Sequence, residues 1–245
     1  MPCYNIADYI ESCIASIATS VGYAVEIETI FIDDCSTDET RNVIRWSAEE
    51  YGLSNFKIIE LSENGGLANA RNVAIDHSGG EHLLFLDGDN MVLPGFWDYY
   101  TSRFSFGAAD VVIPEMEIVD SLGHRTDKRY YRDILGVDPR DSLRRRFPLL
   151  FKNSLDAFAI MRREALGNLR FDSGLRLFED WDFWLTLLAS GAAFEFEEQP
   201  LGLYRFNRPG SLTAESNARK VRKGGAFVRI WWRNRKRLSI LWRRN

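Results

Sequence analysis

The 245-residue chain contains no apolar run approaching ~18 residues, so no segment reads as a membrane-crossing helix. Its start, Met1-Pro2-Cys3-Tyr4-Asn5, lacks a basic stretch leading into an apolar block and is not expected to be a secretory leader. Cysteine is scarce. Cys3, Cys13 and Cys35 form an odd set without metal-ligand spacing, which points to a reducing cytoplasm rather than a disulfide framework. Cys13 falls on an apolar helical stripe and is expected in the core. His77, His82 and His124 have no metal spacing to one another and read as structural. Neither G-x-G-x-x-G nor G-x-x-x-x-G-K-[ST] occurs, which disfavours dinucleotide-dependent oxidoreductases and P-loop enzymes. No internal repeat or low-complexity segment is evident.

What is present is ordinary globular composition, 45% hydrophobic and 27% charged, on a length that fits one large α/β domain. Such a domain buries roughly 70–75% of its unfolded surface and needs no metal or disulfide staple to fold. The net charge of −4 hides an asymmetry: eleven of the 31 Lys and Arg residues lie in 219–245, which contains no Asp or Glu. Residues 1–218 therefore keep 20 basic against 35 acidic side chains. The division predicts an acidic body, 1–218, and a basic tail, 219–245, that touches something anionic. Within the tail, Phe227, Ile230, Trp231, Leu238, Leu241 and Trp242 recur at roughly helical spacing among Arg and Lys. That is the composition of a helix lying on an anionic membrane surface, with packing onto the body as the plainer alternative and a nucleic-acid patch disfavoured.

Along the body, the apolar spacing of Ile6, Tyr9, Ile10, Cys13, Ile14 and Ile17 predicts an amphipathic helix over about 5–20. The β-branched run 27–32 predicts a buried strand ending at Asp33-Asp34, and Ser36 with Glu39 fits a capping box opening a helix to about Glu50. Further strands are expected at 56–61, 82–87 and 110–119, with a helix at 67–76 after the Asn64-Gly65-Gly66 turn. A helix at 177–191 and extended chain at 192–206 follow an irregular stretch, 120–176, that includes Arg144-Arg145-Arg146. Alternating helix and strand over the first ~90 residues predicts a parallel sheet covered on both faces, its carboxyl ends turned to a ligand crevice. No strand precedes the first helix, so the first strand is expected to be missing or truncated.

Two acidic pairs fall at strand ends. Asp87 and Asp89 flank Gly88 after an apolar run, and like charges that close are costly to desolvate without a cation, so a hard divalent site for Mg²⁺ or Mn²⁺ is the functional reading. The glycine would let the backbone approach a ligand. Asp33-Asp34 would accept hydrogen bonds from a nucleoside, or complement the dipole of the helix beginning near Ser36. A third cluster, Glu179-Asp180 with Asp182 among Phe178, Trp181, Phe183 and Trp184, suits either a helix N-terminus or a general base beside sugar-stacking aromatic surface.

The segments PCYN (2–5), IFIDDCSTDET (30–40), NGGLANARNVAID (64–76), LLFLDGDNMVLPG (83–95) and FEDWDFWLTL (178–187), in this order, resemble family 2 glycosyltransferases over about residues 2–206. These are inverting, nucleotide-sugar-dependent enzymes of the GT-A fold. The resemblance implies an α/β, Rossmann-like, mixed and mainly parallel sheet flanked by helices, with a nucleotide-binding half at about 1–119 and an acceptor half at about 120–218. It implies that Pro2, Tyr4 and Asn5, with Asp33 or Asp34, hold the base, usually uracil. It turns Asp87 toward the ribose and Asp89 toward the metal, makes Asp180 the catalytic base, sets Arg71 near the nucleotide phosphates, and closes Arg205 over the diphosphate. Asn90 stands where many members carry another acid, and GNLRFDSGL replaces the usual GGFDE ahead of the Glu179-Asp180 pair.

The expected activity is therefore metal-dependent, inverting sugar transfer from a UDP-sugar to a hydroxyl acceptor, a lipid-linked or surface-polysaccharide glycan. The expected location is cytoplasmic, peripheral at the inner face of the membrane through the tail. A nucleotide-sugar-binding protein impaired by the missing strand is the rival. A sugar nucleotidyltransferase is disfavoured, since its Gly-rich, lysine-bearing loop is absent.

Overall fold

In the computed structural model the described residues are 1–20, 26–106 (backbone only for 104–106), 109–140, 153, 155–211, and Ile230, Trp232 and Asn234. Residues 144–146 and most of the 219–245 tail lie outside them.

The chain begins with β1 (Pro2–Cys3), α1 (Ala7–Ser20), β2 (Thr29–Asp33), α2 (Thr40–Glu50), β3 (Phe56–Glu60) and α3 (Gly66–His77). The three strands form a parallel sheet in the order β1-β2-β3, as the helix–strand alternation predicts. Every residue of β2 is buried, and α1 turns Ile10, Cys13, Ile14 and Ile17 into the core, Cys13 among them as expected.

The first strand, expected to be missing or truncated, is present and short. Pro2–Cys3 forms a two-residue β1 whose partners are Ile32 and Asp33, and the Met1 amine donates to the Ile30 carbonyl. Burial of that amine lowers its pKa, because the charged form is poorly solvated there. A cavity of about 520 Å³ adjoins it, lined by Met1, Ile17, Ile30, Leu84, Phe85 and Trp97 among others.

The capping box is corrected. α2 begins at Thr40, and the Ser36 hydroxyl instead accepts the Asn5 amide. Asp38 does the capping, accepting the amides of Thr40 at 3.0 Å and Ala7 at 3.1 Å, so one carboxylate starts both α2 and α1.

The remaining elements are β4 (His82–Leu84), β5 (Met91–Val92), α4 (Phe96–Phe106), β6 (Val111–Val119), β7 (Arg125–Arg129), a π-helical turn (Tyr130–Leu135), β8 (Ile160–Arg162), α5 (Arg163–Leu166), α6 (Glu179–Ala189) and β9 (Phe194–Arg205). They build a second sheet in the order β4-β8-β6-β9-β5, with β7 on β6. This sheet has the mixed character that the resemblance implies, with more antiparallel pairs than expected: β6 and β9 run parallel, whereas β4–β8, β6–β8, β5–β9 and β6–β7 are antiparallel. The strand expected at 82–87 is shorter, and the chain leaves β4 three residues before Asp87. One apolar core spans both halves, running from Ile10 and Phe31 through Phe85 and Phe96 to Phe183 and Trp184.

Candidate active site

Asp33 and Asp34 do different work. Asp34 sits 4% exposed and accepts the amides of Gly65 at 2.7 Å and Gly66 at 2.8 Å, pinning the turn that opens α3. It therefore complements a helix N-terminus, but that of α3 rather than of α2. Asp33 is 1% exposed; one carboxylate oxygen receives the Ser36 amide and faces Arg41, while Oδ1 is buried without a hydrogen-bond partner. A buried unpaired acceptor is costly, and it stands at the end of β2 beside the Pro2–Asn5 segment.

That segment is stitched to the β2–α2 loop. Asn5, at φ 49°, accepts the Thr37 amide at 2.9 Å, and its own amide donates to Ser36. Tyr4 remains 47% exposed, an aromatic face on the same loop.

Asp87, Gly88 and Asp89 follow β4, and Asn90 donates its amide to the Asp87 carbonyl at 3.0 Å. The reading of Gly88 as a place of ligand approach is corrected. A Cβ there would meet Ile6 Cδ1 at 2.5 Å and Ile10 Cδ1 at 2.8 Å, so the glycine admits the side chains of α1. Asp87 Oδ1 accepts Arg71 Nη2 at 2.9 Å, and the other terminal nitrogen, Nη1, donates to Glu179 Oε1 at 2.7 Å.

Arg71, expected near the nucleotide phosphates, is 2% exposed and lies over the Phe171 ring, with both terminal nitrogens bonded to protein carboxylates. Desolvation opposes its charge, but Asp87 and Glu179 outweigh it and raise its pKa. The consequence is positional. One guanidinium ties the strand-end acids to the first turn of α6, where Asp180 follows Glu179.

Asp180 accepts from its neighbour Trp181 and from Asn153 Nδ2 at 3.2 Å. Burial, then the charges of Glu179 and Asp156, push its pKa up to about 8. Asp156 was not singled out by sequence. It sits in the irregular stretch where no periodicity marks it, and burial followed by the Asp87 charge lifts it to about 6. Its amide donates to the Tyr131 hydroxyl and its carbonyl accepts the Trp184 indole, which fixes it against α6. A carboxylic acid poised near neutrality beside aromatic surface is suited to taking a proton from a hydroxyl.

Asp89 is 14% exposed by its side chain and forms an ion pair with Arg208. Burial, only partly offset by Arg208, raises its pKa. Arg205, expected to close over the diphosphate, is 6% exposed, and it donates through Nε to the Asp89 carbonyl, through Nη1 to the Ser121 carbonyl and through Nη2 to Ser12. Its backbone amide donates to Asn90 Oδ1, so it anchors the Asp87–Asn90 loop from behind. Arg208, three residues on in the same RFNRPG stretch, faces the Asp89 carboxylate instead.

The donor set bears on a metal. Among the described residues no group of three His, Cys, Asp and Glu side chains forms a protein-only cage. Asp87 and Asp89 would suit a hard divalent ion that keeps several waters and completes its ligands with substrate phosphate, and Asp89 is already paired with the Arg208 guanidinium.

Three likenesses to known proteins accompany this geometry. The chain is 27% identical over 236 residues to TuaG of Bacillus subtilis (strain 168), a glycosyltransferase assigned to teichuronic acid biosynthesis, covering 93% of this chain and 84% of that one. Its fold is similar to that of S. aureus TarS 1–349 in complex with UDP-GlcNAc, with TM-score 0.69, 22% identity and coverage of 87% and 59%. It is similar, too, to the mannosyltransferase PcManGT from Pyrobaculum calidifontis in complex with GDP-Man and Mn²⁺, with TM-score 0.63, 20% identity and coverage of 85% and 56%. The chain thus spans little more than half the length of the two solved relatives. These structures share its GT-A architecture, a mixed α/β sheet flanked by helices. Residues 1–170, more than half of the chain, match the description Glycosyl transferase family 2, and the chain belongs to that family.

Proposed function

We propose that the protein transfers a sugar, with inversion, from a nucleotide-diphosphate donor to a hydroxyl of a glycan or lipid-linked acceptor, in the assembly of a surface polysaccharide or teichoic-type polymer. The observation that carries the reading is the Arg71 bridge, which holds Asp87 and the Glu179-Asp180 turn in one constellation. The relatives support the substrate class: TarS is seen with UDP-GlcNAc, PcManGT with GDP-Man and Mn²⁺, and TuaG is assigned to teichuronic acid biosynthesis. UDP is the donor nucleotide proposed here, with the base received by Pro2, Tyr4, Asn5 and Asp33, whose Oδ1 is an acceptor in want of a donor.

Asp87 would face the ribose, and Asp89 would hold Mg²⁺ or Mn²⁺. When bound, that ion supplies Lewis-acid stabilisation of the charge developing on the departing diphosphate. Asp180 would take the acceptor hydroxyl proton as the oxygen attacks the anomeric carbon, a role typically contributing 10²–10⁴-fold. The proposed site is cytoplasmic, with the basic tail at the inner face of the membrane.

Thermal unfolding with Mn²⁺ and UDP, GDP or dTDP tests the donor half of this reading. A nucleotide at 100 times its Kd adds roughly 2.7 kcal/mol, and the shift should appear with UDP, require Mn²⁺ and vanish in Asp89→Ala. No shift with any nucleotide would overturn it. A shift without slow hydrolysis of the matching sugar donor would favour the impaired-binding alternative.

A further inference from the structure

The two acids of the Asp87–Asp89 motif carry different arginines. Arg71 on Asp87 is 2% exposed and bonded on both sides, a permanent fixture. Arg208 on Asp89 is 12% exposed and comes from the chain beyond β9, after Asn207 at φ 56°. Among the described residues its hydrogen bonds reach, besides Asp89, only the carbonyl of its neighbour Pro209, through Nη1, and Nη2 bonds none of them. Its guanidinium lies 5.3 Å from the centre of the Tyr9 ring, beside Arg205 at 5.1 Å. Arg205 cannot leave without unstitching Ser12, Asp89, Asn90 and Ser121, whereas Arg208 leaves by giving up one ion pair, one bond to its neighbour's carbonyl and its contact with the Tyr9 ring.

We propose that Arg208 is an exchangeable counter-ion. It closes Asp89 to a divalent cation while the donor is absent, and moves onto the diphosphate oxygens when nucleotide and cation arrive together. The inference rests on the donor reading above. A metal ion and a guanidinium on one partly buried carboxylate repel, so the cation alone must displace Arg208 into water. A diphosphate changes the balance, because its oxygens offer the displaced guanidinium a two-pronged, charge-assisted set of bonds. Cation and nucleotide binding are then coupled through one side chain, and each strengthens the other.

Binding measurements separate this from an ordinary surface ion pair. Mn²⁺ affinity is read by electron paramagnetic resonance and UDP affinity by calorimetry, on the full chain and on Arg208→Gln and Arg208→Lys, each first checked for an unchanged melting curve. In Arg208→Gln, Mn²⁺ alone should bind roughly two- to fivefold more tightly, since a competitor worth an exposed or partly exposed ion pair is gone. UDP in saturating Mn²⁺ should bind about tenfold or more weakly, with part of that loss restored in Arg208→Lys. Opposite signs for the two ligands are the signature. If Arg208→Gln changes neither affinity, or weakens both, the exchange is wrong while the donor site stands. If the unaltered chain binds no nucleotide with Mn²⁺, the donor reading fails and the exchange fails with it.

Discussion

At the scale of single residues, the site's chemistry turns on how its acids are solvated. Asp180 is held up to about 8 by burial and by the charges of Glu179 and Asp156, against an ordinary value of 3.8. In the unfolded chain it ionises first, so raising the pH favours unfolding. The stability it contributes is fully present below its unfolded pKa and is lost as the pH climbs from 4 toward 8. Melting temperature should therefore fall over that interval, and Asp180→Asn should flatten the fall while keeping the shape of the side chain. The same variant should lose 10²–10⁴ of the transfer rate if Asp180 is the base, and in the unaltered protein kcat/KM should rise with pH until Asp180 is ionised. A variant retaining full rate would remove Asp180 from that role. Gly88 makes a separate prediction. An added methyl must push into Ile6 and Ile10, which are 3% and 0% exposed, so Gly88→Ala should cost about 1–3 kcal/mol in denaturant unfolding.

Between elements, Arg71 joins α3 to the β4–β5 connection and to the first turn of α6. Removing one partner from such a network strands the others, here two carboxylates, at a cost of about 3–5 kcal/mol. For a chain of this size Arg71→Met should lower the melting temperature by roughly 6–20 °C and weaken nucleotide binding with it; a drop of only a degree or two would mean the bridge is replaceable. The strand-end acids were legible in the sequence because an apolar run stopping at Asp-Gly-Asp is a local pattern. The partners of Arg71 were not, since Glu179 lies 108 residues downstream and nothing near Arg71 encodes it. The partners of Arg205 are hidden for the same reason: its bonds run to Ser12 and to the Asp89–Asn90 loop across more than 100 residues. Ser36 and Glu39 have the letters of a capping box, but Asp38 reaches the Thr40 amide first and Ser36 is taken by Asn5.

Across the whole molecule, alternation of helix and strand correctly gave the parallel β1-β2-β3 half and failed in the second sheet. There β4 pairs with β8, a three-residue strand inside the stretch that reads as irregular, and an element so short carries no periodicity of its own. The basic tail is the remaining question at this scale. Its three described residues divide by face. Ile230 is 1% exposed and joins the apolar core, and Asn234 is buried with its amide on Asp182 Oδ1, so position 234 packs against α6. Trp232 is 61% exposed. Ile230 and Asn234 thus dock the tail on the body, and the eleven cations of 219–245 are the charge that an anionic surface would attract. Cations near an anionic surface contribute about 1 kcal/mol each, an attraction that salt screens within a Debye length of ~10 Å at 0.1 M. The full chain should partition onto vesicles rich in phosphatidylserine at low salt, release as salt is raised, and ignore phosphatidylcholine vesicles. Deleting 219–245 should abolish that binding and also lower the melting temperature, because Asp182 loses the Asn234 amide. Substituting Arg235, Lys236 and Arg237 by Gln separates the two effects: vesicle binding should weaken while the melting temperature holds. Vesicle binding unchanged in both variants would move the membrane contact off the tail and onto the body.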